Sequence, residues 1–131
     1  MTTENKKMRT PLKKARHLGS AKEGADHFWK QRVTAVANFV LTGFLVWLVV
    51  SLIGADYATV KATIGRPLVA LPLILLAVSA AIHMRLGMQV IIEDYVHGEG
   101  KKIIYLMLNT FFAILVGASI VFAVLKLSFG A

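Results

Sequence analysis

No cysteine occurs among the 131 residues, which excludes disulfides, iron–sulfur ligation and thiolate metal sites from this chain in any compartment. Acidic residues are scarce too: seven Asp and Glu stand against 15 Lys and Arg, leaving a net charge of +8 at pH 7. No nucleotide-binding loop, nucleophile triad or facing carboxylate pair is present, so nothing here could carry a stand-alone catalytic cycle. Most informative are the stretches from which charge is missing altogether. Asp, Glu, Lys and Arg are absent from Val33 to Ala55, from Pro67 to Met84 and from Ile103 to Leu125. Each stretch is long enough to cross a hydrocarbon core of about 30 Å.

With 56% hydrophobic residues and a mean hydropathy of +0.66, the chain reads as an all-α membrane protein with three transmembrane helices and a basic cytoplasmic N-terminal arm. The expected organisation is an arm over residues 1–23 and one membrane domain over residues 24–131, with spans at about 33–55, 67–92 and 103–125. The first 32 residues are polar, so the first span is expected to be retained rather than removed as a signal peptide. They hold nine Lys or Arg against Glu4, Glu23 and Asp26, a net +6 that favours a cytoplasmic N-terminus. Three crossings then put the C-terminus outside, periplasmic in a bacterial inner membrane. The arm could attract anionic lipid headgroups, but it lacks interleaved aromatics for stacking on bases, so nucleic acid is not an expected partner. Pro11, Gly19 and Gly24 suggest a loosely ordered arm ending in a surface segment near Asp26 to Lys30.

The second span carries the chemistry. At 100° per residue, Gly87, Val90, Asp94 and His97 all fall within roughly 40° of His83, and Ser79 and Ala80 lie near the same face. A histidine inside a span stays neutral, because a low dielectric penalises its charge, and a neutral imidazole has a lone pair to offer. Ligand, proton relay, or a plain hydrogen bond to a neighbouring helix are its three options. Were His83 to bind a metal, haem iron would suit a chain without thiolates. Two axial nitrogens lie roughly 4 Å apart, whereas His97 is about 21 Å further along the helix and His17 and His27 precede the first span. A six-coordinate haem would therefore need its second ligand from a partner subunit.

Asp94 and Tyr95 lie about 16 to 18 Å beyond His83. A tyrosine hydroxyl can donate to a carbonyl oxygen while a neighbouring acid conducts protons, as quinone reduction requires; "EDYVHGEG" also reads as an ordinary polar loop. Arg85, about 200° round the helix from His83, must snorkel or pair with a partner subunit or a haem propionate. Gly87 suits close approach of a helix or a flat macrocycle. Pro72 is expected to bend the second helix, Ala113 with Gly117 to form a packing face on the third, and Trp47 lies within the first span without assignable chemistry.

His83-x3-Gly87-Met88 followed by Asp94-Tyr95-Val96 resembles the signature of the D-type hydrophobic membrane anchor subunit of succinate dehydrogenase, respiratory complex II. "HFWKQRVTAVANFVLTGF", with Arg32 before small residues, is similar to that family's first span, and the likeness covers roughly residues 24 to 131. The resemblance implies that His83 is an axial ligand to the iron of a haem b shared with a C-type cytochrome b anchor subunit. It implies that Asp94 and Tyr95 border a ubiquinone site and that Arg32 lies near that site or the haem propionates. The flavoprotein and iron–sulfur subunits would be further partners, carrying out succinate oxidation in the tricarboxylic acid cycle. This chain would be a non-catalytic subunit passing electrons toward ubiquinone. Two alternatives come from other classes: a small proton-coupled transporter using His83 and Arg85, and a haemless assembly or scaffold protein.

Overall fold

A computed structural model describes residues 24–130, and the basic arm over residues 1–23 lies outside the described residues. The chain order is α1 (Gly24–Ser51), α2 (Tyr57–Ile64), α3 (Pro67–Tyr95) and α4 (Glu99–Phe129). The described residues form helices without a strand. α1, α3 and α4, of 28, 29 and 31 residues, are long and apolar enough to cross a membrane. The expected all-helical architecture with three candidate spans is therefore what the chain adopts.

α1 and α4 begin before their charge-free stretches, and α3 and α4 run on past the ends of theirs, because a helix does not stop where lipid stops. α1 begins at Gly24, so Asp26 to Lys30, expected as a surface segment, form its first turns. There Lys30 Nζ lies 3.6 Å from Asp26 Oδ2, one turn away. The C-terminal end of α1 unwinds around Gly54, whose φ of 80° is the left-handed conformation a Cβ resists. The segment between the first two spans contains α2. Asp56 caps it, its Oδ1 accepting from the Thr59 N–H at 3.1 Å. Hydrogen bonds from Thr59, first its side chain and then its backbone N–H, hold the Asp56 carboxyl below its usual value of 3.8.

α3 opens at Pro67, where a missing N–H costs nothing, and the Arg66 carbonyl accepts from Val69 and Ala70. The helix continues through Pro72 and ends at Val96, whose extended backbone breaks the pattern. His97 consequently leaves the helix, and with it the stripe on which the periodicity placed it. α4 has Glu99 in its first turn and Lys126 in its last, both matched to the helix dipole, and stops at Gly130 with φ 74°.

α3 is the centre of the bundle. It packs on α1 on one side and α4 on the other, and among the described residues α1 and α4 do not pack on each other. Most large apolar side chains point outward, Phe39 at 83% and Leu68 at 84% exposure. Trp47 joins them at 62% and packs beside Phe44. Such an inside-out surface is what lipid, rather than water, tolerates.

The α3–α4 seam is made of small residues. Ala77, Ala113 and Gly117 are buried, and a Cβ on Gly117 would stand 3.0 Å from Ala81 Cβ. Ala77-x3-Ala81 thus faces Ala113-x3-Gly117, as expected of the third span, and the two backbones approach closely. At the other end of this seam Asn109, buried to 9% exposure, donates from Nδ2 to the Arg85 carbonyl at 2.9 Å.

Candidate functional site

The opposite face of α3 carries Ser79, His83 and Gly87, one turn apart. Against it α1 presents His27, Gln31, Thr34 and Asn38, spaced four, three and four residues, a seam-facing heptad pattern that is polar at this end of the helix. Leu48 continues the same stripe and is buried. Two contacts fix the antiparallel register. Thr34 Oγ1 lies 3.0 Å from His83 Nδ1, and Ser79 Oγ donates to the Thr34 carbonyl at 3.4 Å. One turn on, the Gln31 side chain lies 3.5 Å from where a Cβ on Gly87 would be. The neighbour that Gly87 accommodates within this chain is therefore a side chain of α1.

His83 is half-buried and forms part of the wall of an open groove of about 820 Å³. The rest of that wall is α1: Ala35, Asn38, Phe39, Val40, Thr42, Gly43 and Val46. Ala35, Thr42 and Gly43 are small, so the groove is broad and shallow rather than a closed pocket. With Nδ1 taken by Thr34, the other ring nitrogen of His83, Nε2, makes no hydrogen bond among the described residues. The stripe is also polar beyond its own needs. His27 Nε2, Gln31 Oε1 and Asn38 Oδ1 are closed off from solvent without a partner among the described residues.

The register sets the depth of His83. Thr34 is the second residue of the first charge-free stretch, so the α1–α3 pair is free of charge from about Val33 and Met84 to Ser51 and Pro67, a block about 28 Å tall. That matches a hydrocarbon core of about 30 Å and places His83 at the edge of the block, not at its middle. The last turns of α3 stand beyond it.

Asp94 and Tyr95 belong to those turns. Both are helical and exposed, Tyr95 at 77%, and no ion pair among the described residues involves Asp94. Glu93 accepts from Gln89 Nε2 at 2.8 Å, one turn back. Acidic residues at the C-terminal, negative pole of a helix oppose its dipole, an arrangement that costs rather than adds stability. Arg32 is exposed, its guanidinium carbon 5.0 Å from the centre of the Phe28 ring. The register puts Arg32 level with His83 within a turn and on the order of 15 Å from Asp94 along the helix axes. This chain therefore does not gather Arg32, His83, Asp94 and Tyr95 into one cluster. Among the described residues no three His, Asp or Glu side chains converge on a bare metal ion.

Arg85 lies on the other face, where its Nε donates to Thr110 Oγ1 on α4 at 3.3 Å. Its first partner is thus within this chain. A transporter site drawing on His83 and Arg85 together would need them side by side, whereas α3 holds one against α1 and the other against α4. Thr34 and Asn109, the two residues that fasten these seams, do not stand out in the sequence, where each is a single polar side chain in an apolar helix.

A family model described as succinate dehydrogenase/fumarate reductase transmembrane subunit matches residues 6–124. The chain is 35% identical over 122 residues to a succinate dehydrogenase hydrophobic membrane anchor subunit of Paracoccus denitrificans, covering 93% of this chain and 94% of that one. It is 34% identical over 101 residues to a succinate dehydrogenase membrane anchor subunit of Reclinomonas americana, covering 75% of this chain and 84% of that one. A hydrophobic membrane anchor subunit of Rickettsia bellii is 33% identical over 88 residues, 67% and 70% of the two chains. No solved structure matches at a significant level.

Proposed function

Since this chain belongs to the family of succinate dehydrogenase/fumarate reductase transmembrane subunits and is a multi-pass membrane protein, we propose that it is the D-type anchor, binding haem b jointly with a second anchor subunit. The observation that carries this reading is His83: an imidazole tied through Nδ1 to Thr34 of α1, on the wall of an open groove to which Ala35, Thr42 and Gly43 give its breadth. A flat macrocycle needs such a wall, and the other ring nitrogen suits iron. With one suitable histidine at this depth among the described residues, any further protein ligand to the iron would come from the partner anchor chain. A haem bound there supplies a one-electron centre inside the anchor. Arg32, level with His83, is suited to its propionates and too far from Asp94 to serve the same quinone contact.

Asp94 and Tyr95 are proposed to border a ubiquinone site at the end of α3, where the iron–sulfur subunit would complete the pocket. Tyr95 would donate its hydroxyl to a quinone carbonyl and Asp94 would hand on a proton as the quinone is reduced. Their exposure fits a surface finished by another subunit, and their unfavourable place at the helix terminus fits residues kept for chemistry. Succinate oxidation would rest with the flavoprotein subunit, and the anchor would sit in the bacterial inner membrane with its N-terminus in the cytoplasm. A reduced-minus-oxidised spectrum of the purified complex tests the reading. His83→Ala should remove or shift the b-type band, and Tyr95→Phe should slow quinone reduction with the band intact. A band unaltered in His83→Ala would overturn the haem assignment.

A further inference from the structure

We propose that Thr34 is the positioning residue for His83, its hydroxyl oxygen accepting the Nδ1–H and so fixing the tautomer that leaves the Nε2 lone pair toward the groove. The inference rests on the haem reading above and concerns a residue of α1 to which nothing in the sequence pattern assigned a role.

A count of hydrogens sets the direction of this bond. A threonine hydroxyl has one hydrogen and two lone pairs. Thr34 Oγ1 lies 2.7 Å from the Lys30 carbonyl oxygen one turn back on its own helix and 3.2 Å from that of Gln31. Both are acceptors only, and the shorter distance claims the hydrogen. What Oγ1 then turns to His83, 3.0 Å away, is a lone pair. An imidazole answers a lone pair only with an N–H, so Nδ1 carries a proton, and the tautomer able to ligate iron is the one with Nε2 bare.

The geometry that enforces this comes from both helices. A β-branched side chain in a helix has few χ1 choices, and the bond back to the i−4 carbonyl selects among them. The Thr34 backbone is held in turn by Ser79, whose hydroxyl donates to its carbonyl at 3.4 Å, and Ser79 is one turn from His83 on α3. Thr34 and His83 are 49 positions apart in the chain, so the contact exists only once α1 and α3 have packed. The same packing that joins the helices therefore sets the protonation pattern of the imidazole. Outer partners of this kind orient a ligating histidine and raise its basicity.

The test uses the assembled complex carrying Thr34→Val, Thr34→Ser or His83→Ala. Valine matches the shape of threonine without an acceptor, and serine keeps the acceptor. In Thr34→Val the haem midpoint potential should rise, because an imidazole without an acceptor on Nδ1–H gives less electron density to ferric iron. Haem affinity should fall by roughly tenfold, the lower end of what outer-partner substitutions cost. Thr34→Ser should return both toward wild type, which a purely structural role for the side chain would not predict. Should Thr34→Val fail to assemble, Thr34→Cys makes the same comparison with similar volume and a far weaker acceptor. A wild-type potential and haem content in Thr34→Val, with the band lost in His83→Ala, would overturn the role of Thr34 and leave the ligand assignment standing. A band that survives His83→Ala would sink both.

Discussion

α3 meets its two neighbours through small residues on both sides, yet the two seams do opposite things. Toward α4, Ala77, Ala81, Ala113 and Gly117 bring backbones together until a single added methyl would stand at 3.0 Å. The one buried polar residue there, Asn109, is satisfied by a backbone carbonyl. Toward α1, Ser79 and Gly87 flank a histidine instead. His83 meets a side chain, that of Thr34, while Ser79 meets a backbone carbonyl; the nearest approach to Gly87 is an ordinary 3.5 Å contact, and three polar atoms of the α1 stripe are left without partners among the described residues. Small residues give close packing where they face one another. Where they face long polar side chains, those side chains fill the space at van der Waals distance.

The widest separation between the seams should appear in colour. His83→Ala is expected to abolish or shift the b-type absorbance of the complex, whereas Asn109→Leu, on the other face at a similar depth, should leave it in place. An equal loss in both would mean that the signal reports assembly rather than ligation.

A matched pair of glycines then tests packing alone. Gly117→Ala must displace Ala81, and overpacking of this kind costs about 1–3 kcal/mol. Gly87→Ala meets only the movable end of Gln31, so it should be neutral or, through helix propensity, stabilising by up to about 1 kcal/mol. Thermal denaturation of the detergent-purified complex measures both, and the same sign for the two would erase the distinction drawn here. Asn109→Leu should cost less, about 0.6 kcal/mol, the average for a polar contact between membrane helices. A loss several times larger would show that Asn109 also fixes Arg85 on Thr110.

How far these features could be read in advance follows from what is local. Charge-free runs announce spans, and Ala113 with Gly117 announces a packing face, because both depend on residues a turn or a helix apart. The start of α1 at Gly24 was hidden by Asp26, Lys30 and Arg32, which are helical but wet. α2 was hidden by its length of eight residues, although Asp56 with Thr59 three positions on is a capping signal. Periodicity places His97 on the stripe because it carries on past Val96 when the helix does not. Thr34 and Asn109 were invisible for a deeper reason. Each acts on a residue at least 24 positions away, and no local pattern distinguishes a polar side chain that fastens two helices from one that bonds its own turn.

α2 lies outside both seams, and the smallest expected effect is there. Its Asp56 carboxyl is held below its usual value by Thr59, so the folded form binds a proton less readily than the unfolded one. The contribution to stability is therefore complete above about pH 3.8 and declines as the pH falls through the depressed folded value. Amide exchange at Thr59, corrected for its intrinsic rate, reads this directly. Wild type should lose protection only in that acidic window. Asp56→Asn keeps an acceptor without a titrating charge and should hold its protection across the window, while Asp56→Ala should be less protected at every pH. The b-type absorbance should be the same in all three, since α2 touches neither His83 nor the groove. A spectral change in Asp56→Ala would mean that the α2 end of the bundle is coupled to the seam between α1 and α3, and the division into independent regions would fail.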